Sequence, residues 1–404
     1  MLTVQEAIEI ILREARSARG ETEEVPLLEL SGRALAEDIT SDRDYPPFNR
    51  AMMDGFALSQ ADYAQGIREY RVVQDIFAGS SGRPLGSGEC ARIMTGAPVP
   101  EGGDAVIKVE ESRVERDEEG GERVFFEREK LEVWTSVARQ GENARAGEVI
   151  LSRGSVCTPP VQMTLAAVGR GSASSYALPD VAVISTGDEL RSLEETPTEY
   201  QIRDSNYYSL AAFLGDYGIR PAMYSLADDN PERLRREIRK GLEKKLLILS
   251  GGVSMGEADY VPGILEELGA EKIFHKVQVK PGKPIWFGRS RAGNIFGLPG
   301  NPVSCAATFK IFIEPYLRRL LGLPDPVRVI LPMGAARRKR GEREDYFPCF
   351  LERREGRTVL LPAPFSGSGD IRAGSGAHGL AVQPGPLENM PEGFPTEFLP
   401  WKSF

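Results

Sequence analysis

Between residues 181 and 321, short apolar runs alternate with stretches of helical periodicity, and this alternation limits the possible folds more than any other feature. The runs at 181–184, 246–249 and 294–298 are short and nearly free of polar side chains, as strands buried on both faces are. Further strands are expected near 222–225, 274–279 and 285–287. Helical patterns start near Asn206 and cover 231–242 and 262–268. The last unit passes from strand 294–298 into a long helix over 305–321, which Pro315 is expected to kink. Strands and helices in this order give an α/β fold with an open, mostly parallel sheet and helices on both faces.

Each of the three apolar runs ends in a polar glycine turn. These are Ser185-Thr186-Gly187-Asp188-Glu189, Ser250-Gly251-Gly252-Val253-Ser254-Met255-Gly256 and Gly297-Leu298-Pro299-Gly300-Asn301-Pro302-Val303-Ser304. Parallel sheets bind ligands beyond the carboxyl ends of their strands, so three such turns point to one site along that edge. In the last turn Pro299 is fixed between two glycines, Asn301 stands where a helix takes its cap, and backbone N–H groups at the helix start suit an anion. Candidate ligand-binding residues are therefore Gly187, Asp188, Ser250, Gly251, Gly252, Ser254, Pro299, Gly300, Asn301 and Pro302. Glu189 and Asp259 are candidate metal and catalytic carboxylates, because acids converging at strand ends beside backbone donors are what Mg²⁺-assisted phosphate chemistry requires. Asp204 reads instead as the cap of the next helix. In Lys280-Pro281-Gly282-Lys283-Pro284 the prolines stiffen a turn that holds two ammonium groups near one place, an arrangement suited to a polyanion.

At 404 residues the chain is too long for one comfortable core. Thr3 is positioned to cap an amphipathic helix whose stripe is Val4, Ala7, Ile8, Ile11, Leu12 and Ala15. From about 70 to 149 the pattern is strand-rich, with runs at 71–73, 105–109, 123–126 and in the 131–137 region, and reads as a small inserted β domain. A short helix over 158–168 follows. Beyond Pro324 the helical signal stops, and runs at 327–331, 357–361 and 379–382 suggest an all-β C-terminal domain. Asp54 and Thr95 sit beside glycine turns in the first half. The loop 365–370 is either a simple connection or a phosphate-facing nest. The net charge of −9 argues against nucleic acid as a partner. The basic run Arg337-Arg338-Lys339-Arg340 is expected to be a solvated turn or a local salt-bridge partner. Four dispersed cysteines and no CxxC pair argue against structural zinc or disulfides, and no apolar run reaches membrane-spanning length. The reading is a cytoplasmic protein. With only His275 and His378 present, a histidine-rich metal centre is excluded, and His275 reads as structural.

Taken together, the segments resemble the molybdopterin molybdenumtransferase family, the bacterial MoeA proteins and the E domain of gephyrin. The resemblance is carried by PPFNRAMMDGFA at 46–57, RIMTGAPVPEGGDAV at 92–106, GENAR at 141–145, ISTGDEL at 184–190 and DSN at 204–206. It continues through SGGVSMGEADY at 250–260, KPGKP at 280–284 and GLPGNPVS at 297–304, in the family's order over the whole chain. It implies a multidomain, elongated α/β subunit with four parts: an N-terminal and linker domain (1–45 and 146–176), a small β-rich inserted domain (46–145), a molybdopterin-binding α/β domain (177–325) and a C-terminal β domain (326–404). It further implies insertion of molybdate into adenylylated molybdopterin, with release of AMP and dependence on Mg²⁺. The family's functional positions carry over to Asp54, Thr95, Glu189, Asp259, Lys280, Lys283, Pro299 and Pro302. The implied active unit is a homodimer with composite sites, in transient contact with molybdopterin adenylyltransferase and molybdoenzyme maturation proteins. Where the family continues from GENAR into a further Gly-Glu-Asp, this chain has Ala146-Gly147-Glu148-Val149, one carboxylate fewer. Ala51 and Lys108 also depart from the commoner residues. A pterin-binding protein without turnover is the alternative these residues leave open.

Overall fold

The computed structural model describes residues 1–18, 20–116, 120–228, 230–253, 260–326 and 328–402. The chain divides into two compact units, one of residues 1–36, 154–158 and 172–404, the other of residues 37–153 and 159–171.

The first unit contains the parallel sheet. Its order is Met223–Ala227, Val181–Thr186, Leu246–Ser250 and Asn294–Leu298, all parallel, followed by Trp286–Arg289 and Glu271–His275, each antiparallel to the strand before it. Alternation along the strands sorts side chains between two faces. Val181, Val183, Leu246, Ile248 and Phe296 pack with Leu210 and Leu214 of helix Asn206–Gly215 and with the N-terminal helix Val4–Ser17. Ala182, Ile184, Leu247, Leu249 and Ile295 pack on the other face against helices Pro231–Gly241 and Val261–Glu267. Both faces are thus covered, which is why these strands are apolar throughout. The register sets Ser185 beside Ser250 and Ser250 beside Leu298, so the three turns leave from one edge.

Local sequence explains the helix ends. Thr3 accepts the N–H of Glu6, and Glu6 accepts the N–H of Thr3, a reciprocal cap. Asn230 caps helix Pro231–Gly241 with proline in its first turn. The long helix expected over 305–321 starts earlier and is interrupted. It runs as Pro302–Thr308, a widened π turn Phe309–Ile313, and Glu314–Leu320. Pro315 has no N–H to give the Ile311 carbonyl and its ring crowds that carbonyl, so the widened turn lies where a regular helix would clash.

The C-terminal sheet has the order Val279–Lys280, Glu344–Arg354, Gly379–Gln383, Pro395–Pro400, Val329–Pro332, with Arg357–Pro362 also on Glu344–Arg354. The strand expected over 274–279 is therefore two pieces, and the second belongs to this other sheet. The C-terminal part is also not all-β, because Ile371–Gly376 is a short helix capped by Asp370. The basic run is a salt-bridge partner rather than a solvated turn: Arg337 pairs with Asp345 at 2.9 Å, Arg337–Arg338 pairs as a strand with Asn389–Met390, and Lys339 is buried with its ammonium on the carbonyls of Gly341, Arg343 and Gly385.

The second unit is built on a six-stranded sheet, in the order Ala105–Lys108, Gly55–Leu58, Glu89–Ile93, Glu69–Ile76, Glu122–Phe126 and Ser112–Arg116. One face buries Phe56, Tyr63, Tyr70, Ile107 and Phe126, the other Ala57, Ile76, Ile93 and Val106. The 131–137 region contributes only Val137–Ala138, paired with Arg50–Ala51. All four cysteines are buried and free. Among the described residues, no helix is long and apolar enough to cross a membrane.

Candidate active site

The three strand-end turns meet in one cleft of about 480 Å³. Its lining includes Thr186, Gly187 and Glu189 from the first turn, Ser250–Val253 from the second, and Pro299–Pro302 from the third. Glycine is required where the turns approach each other. Gly252 has φ +62°, and a β-carbon there would lie 2.8 Å from both Thr186 Oγ1 and Val261 Cγ2. At Gly187 it would lie 2.6 Å from Glu189 Oε2, so the Glu189 carboxylate folds back over a backbone with no side chain in its way.

Asn206 fastens the cleft. Its Nδ2 donates to Ser250 Oγ and to the Gly300 carbonyl, both at 2.7 Å. A carbonyl can only accept, which fixes the amide orientation and turns Oδ1 away from both partners. That Oδ1, with Ser185 Oγ and Thr186 Oγ1, is buried without a protein hydrogen-bond partner. Buried polar atoms normally have partners, and unpaired ones gathered behind a cleft suit a ligand or ordered water. Asp204 is buried just before, accepting the N–H groups of Asn206 and Tyr207 and the Tyr224 hydroxyl. It caps the helix, as its sequence position suggests. His275 Nε2 lies 3.0 Å from the Val253 carbonyl, and because that oxygen only accepts, Nε2 carries the proton. The ring therefore braces the second turn.

The third turn is arranged differently from the sequence expectation. Asn301 occupies the cap position but makes no capping bond; its Nδ2 donates to Ser368 Oγ at 2.9 Å. Pro302 has no N–H, and the N–H of Val303 goes to the Ser368 carbonyl. The helix start therefore offers fewer free donors than expected. The N–H groups of Gly187 and Gly251 go to Ala227 and Leu298 of adjoining strands. Loop 365–370 is not an open phosphate nest, because Asp370 itself accepts from Ser366 N, Ser366 Oγ and Ala373 N. Those bonds hold the Asp370 carboxyl below its usual range, the Ala373 N–H having the largest effect.

Of the other candidates, Asp188 is exposed beside the cleft but is not in its lining. Lys280 and Lys283 are also outside the lining, although Pro284 belongs to it. Lys283 is exposed, and the Lys280 ammonium lies 3.5 Å from Asp345 Oδ2. Ser254 and Asp259 lie outside the described residues. Among the described residues, no three or more His, Cys, Asp or Glu side chains gather as a metal centre. In the other unit, Asp54 Oδ1 accepts both the N–H and the hydroxyl of Thr95, each at 2.7 Å. The hydroxyl bond first, then the N–H bond, hold the Asp54 carboxyl below its ordinary range, so it stays an anion. Of the lining, Arg203 and Asn206 were missed as cleft residues, and Thr186 and Pro284, though within the turns named from sequence, were not singled out. The polar Asp204-Ser205-Asn206 start of a helix was the available signal for Asn206.

Three family models match the chain in order. They are the MoeA N-terminal region (domain I and II) over residues 2–169, a probable molybdopterin binding domain over 182–319, and the MoeA C-terminal region (domain IV) over 331–401. A molybdopterin molybdenumtransferase of Bacillus subtilis is 31% identical over 94% of this chain and 90% of its own length. The chain belongs to the molybdopterin molybdenumtransferase family. A second member, from Staphylococcus aureus, is 29% identical over 98% of this chain and 95% of its own. The solved structure of a molybdopterin biosynthesis MoeA protein from Pyrococcus horikoshii superposes over 100% of both chains, with a TM-score of 0.83 at 29% identity. Family membership agrees with the multidomain α/β architecture, with its separate sheets, built up above.

Proposed function

We propose that the chain is a molybdopterin molybdenumtransferase, inserting molybdate into adenylylated molybdopterin with release of AMP in molybdenum cofactor biosynthesis. The observation that carries this reading is the union of three strand-end turns in one cleft, within the segment matching a molybdopterin binding domain. In the reaction water cleaves the phosphoanhydride bond, giving AMP and the pterin phosphate, while molybdenum becomes bonded to the two dithiolene sulfurs and one molybdate oxygen leaves as water with the two thiol protons. No oxidant or reductant is needed. The chain's part is to bind and orient. Ser250–Val253 and Pro299–Pro302 shape the cleft, Asn206 holds those turns in register, and Lys280 and Lys283 attract oxyanions at its side.

Mg²⁺ fits the donor chemistry of this site. Glu189 places a hard carboxylate in the lining, and Mg²⁺ takes one or two carboxylates with water and substrate phosphates completing its shell. Glu189 would hold it, with Asp259 as the second carboxylate that the resemblance implies. When bound, the cation offsets phosphate charge as the anhydride breaks.

The working unit is a homodimer in which Asp54 and Thr95 of one subunit complete the cleft of the other. Support comes from the second unit, where the Asp54 and Thr95 pair is exposed beside the exposed apolar side chains of Met52 and Met53. Contact with molybdopterin adenylyltransferase and with maturation proteins would supply the substrate and receive the product. Incubation with adenylylated molybdopterin, molybdate and Mg²⁺ tests the reading. One AMP per cofactor formed is expected; tight pterin binding without AMP release would instead indicate a binding protein.

A further inference from the structure

We propose that Asp345, in the C-terminal sheet, is a positioning residue that holds the Lys280 ammonium ready for an oxyanion of the ligand. The inference rests on the functional reading of Lys280 given above. Lys280 lies on the edge strand of that sheet, with Val279 opposite Glu344 and Lys280 opposite Asp345. The register sets the two side chains next to each other, and Nζ lies 3.5 Å from Oδ2.

Burial shows which partner depends on which. Asp345 is 2% exposed, and a carboxylate buried to that extent needs a counter-charge. Arg337 provides it at 2.9 Å, and is itself held by Gln383 and by the Phe347 ring, 3.7 Å below its guanidinium. The Asp345 carboxylate is therefore compensated without Lys280. Lys280, by contrast, has a side chain 48% exposed on a flexible stem, and Asp345 is the group that narrows its range. Arg337 draws off much of the Asp345 charge, so the lysine is tethered while its attraction for an incoming anion is kept. The site lysine is thereby set by two neighbouring strands of one sheet, its own Val279–Lys280 and Glu344–Arg354 beside it.

Two effects of Asp345→Asn oppose each other, which makes the test decisive. Coulomb's law alone has the loss of a nearby negative charge tighten oxyanion binding; loss of positioning weakens it. Binding of adenylylated molybdopterin is measured in the parent, Asp345→Asn, Lys280→Ala and the double variant, with thermal unfolding as a check on folding. We expect Asp345→Asn to weaken binding roughly threefold to tenfold and to add nothing further in the Lys280→Ala background. Tighter binding, or an equal loss in both backgrounds, overturns the proposal. If Asp345→Asn does not fold, the parent still decides. After reductive ¹³C-methylation, the Lys280 resonance, assigned with Lys280→Arg, should be shifted from that of exposed Lys283 and approach it in high salt. Coincident resonances overturn the proposal. A parent that binds the pterin, with Lys280→Ala binding it equally well, refutes the role of Lys280 alone; a parent that does not bind it refutes the functional reading as well.

Discussion

At the residue scale, Asn206 determines whether two of the turns act as one site. Its amide reaches both Ser250 and Gly300, and its donors face a hydroxyl and a carbonyl. Asn206→Asp would place a carboxylate oxygen against the Gly300 carbonyl. It is expected to lower stability by about 2 kcal/mol, from the lost bond to Gly300 and the two oxygens set against each other there, while the Ser250 hydroxyl can turn to donate to the carboxylate. Pterin affinity should fall with it. Denaturant unfolding and ligand titration check this, and unchanged values in both would remove Asn206 from the cleft's architecture. The turn residues of this site were legible in the sequence because glycine at a strand end commonly marks a close approach of backbone. Asn206 was not, because its two partners are 44 and 94 residues away and an asparagine at a helix start already has a local reading. The backbone donors were misjudged for a related reason: Ser368, which takes the Val303 N–H, is remote in sequence.

At the element scale, the parallel sheet and its helices were readable from periodicity, because strands covered on both faces must be apolar along their whole length. The strand Glu344–Arg354 was not, since Pro348 and the charges at Glu344, Asp345, Glu352 and Arg353 break any simple alternation. Its buried Asp345 is matched by Arg337, 8 residues earlier, and by Lys280, 65 residues earlier, pairings that no alternation pattern shows. The interrupted helix is similar: Pro315 predicted a disturbance but not its form. Within it, Lys310 and Glu314 form an ion pair at 2.6 Å, 3% and 4% exposed, and Tyr217 donates to Glu314 as well. Desolvation pushes the Lys310 ammonium below its ordinary range, although Glu314 opposes that shift. Lys310→Met removes one partner and leaves a buried carboxylate, with an expected cost of about 3–5 kcal/mol. The double variant Lys310→Met, Glu314→Leu should recover much of that loss in denaturant unfolding. A Lys310→Met midpoint equal to the parent's would show the pair to be energetically idle.

At the scale of the whole molecule, the two units have different duties. One contains the cleft, and the other contains an exposed, hydrogen-bonded carboxylate at Asp54 that is not among the residues lining that cleft. The proposed homodimer with shared sites would reconcile these facts through two-fold symmetry. Mixing Asp54→Ala subunits with Glu189→Ala subunits should restore AMP release to about a quarter of the parent level. This follows because half of a random mixture is heterodimer, with one of its two sites intact. Recovery of none, with heterodimers shown by mass, would place Asp54 outside the partner's site. If three turns from three strands bind one ligand together, hydrogen exchange on adding adenylylated molybdopterin reads all three at once. Slowed exchange is predicted together at 186–190, 250–253 and 300–304, with one shared midpoint; protection at a single turn, or elsewhere in the chain only, would contradict it.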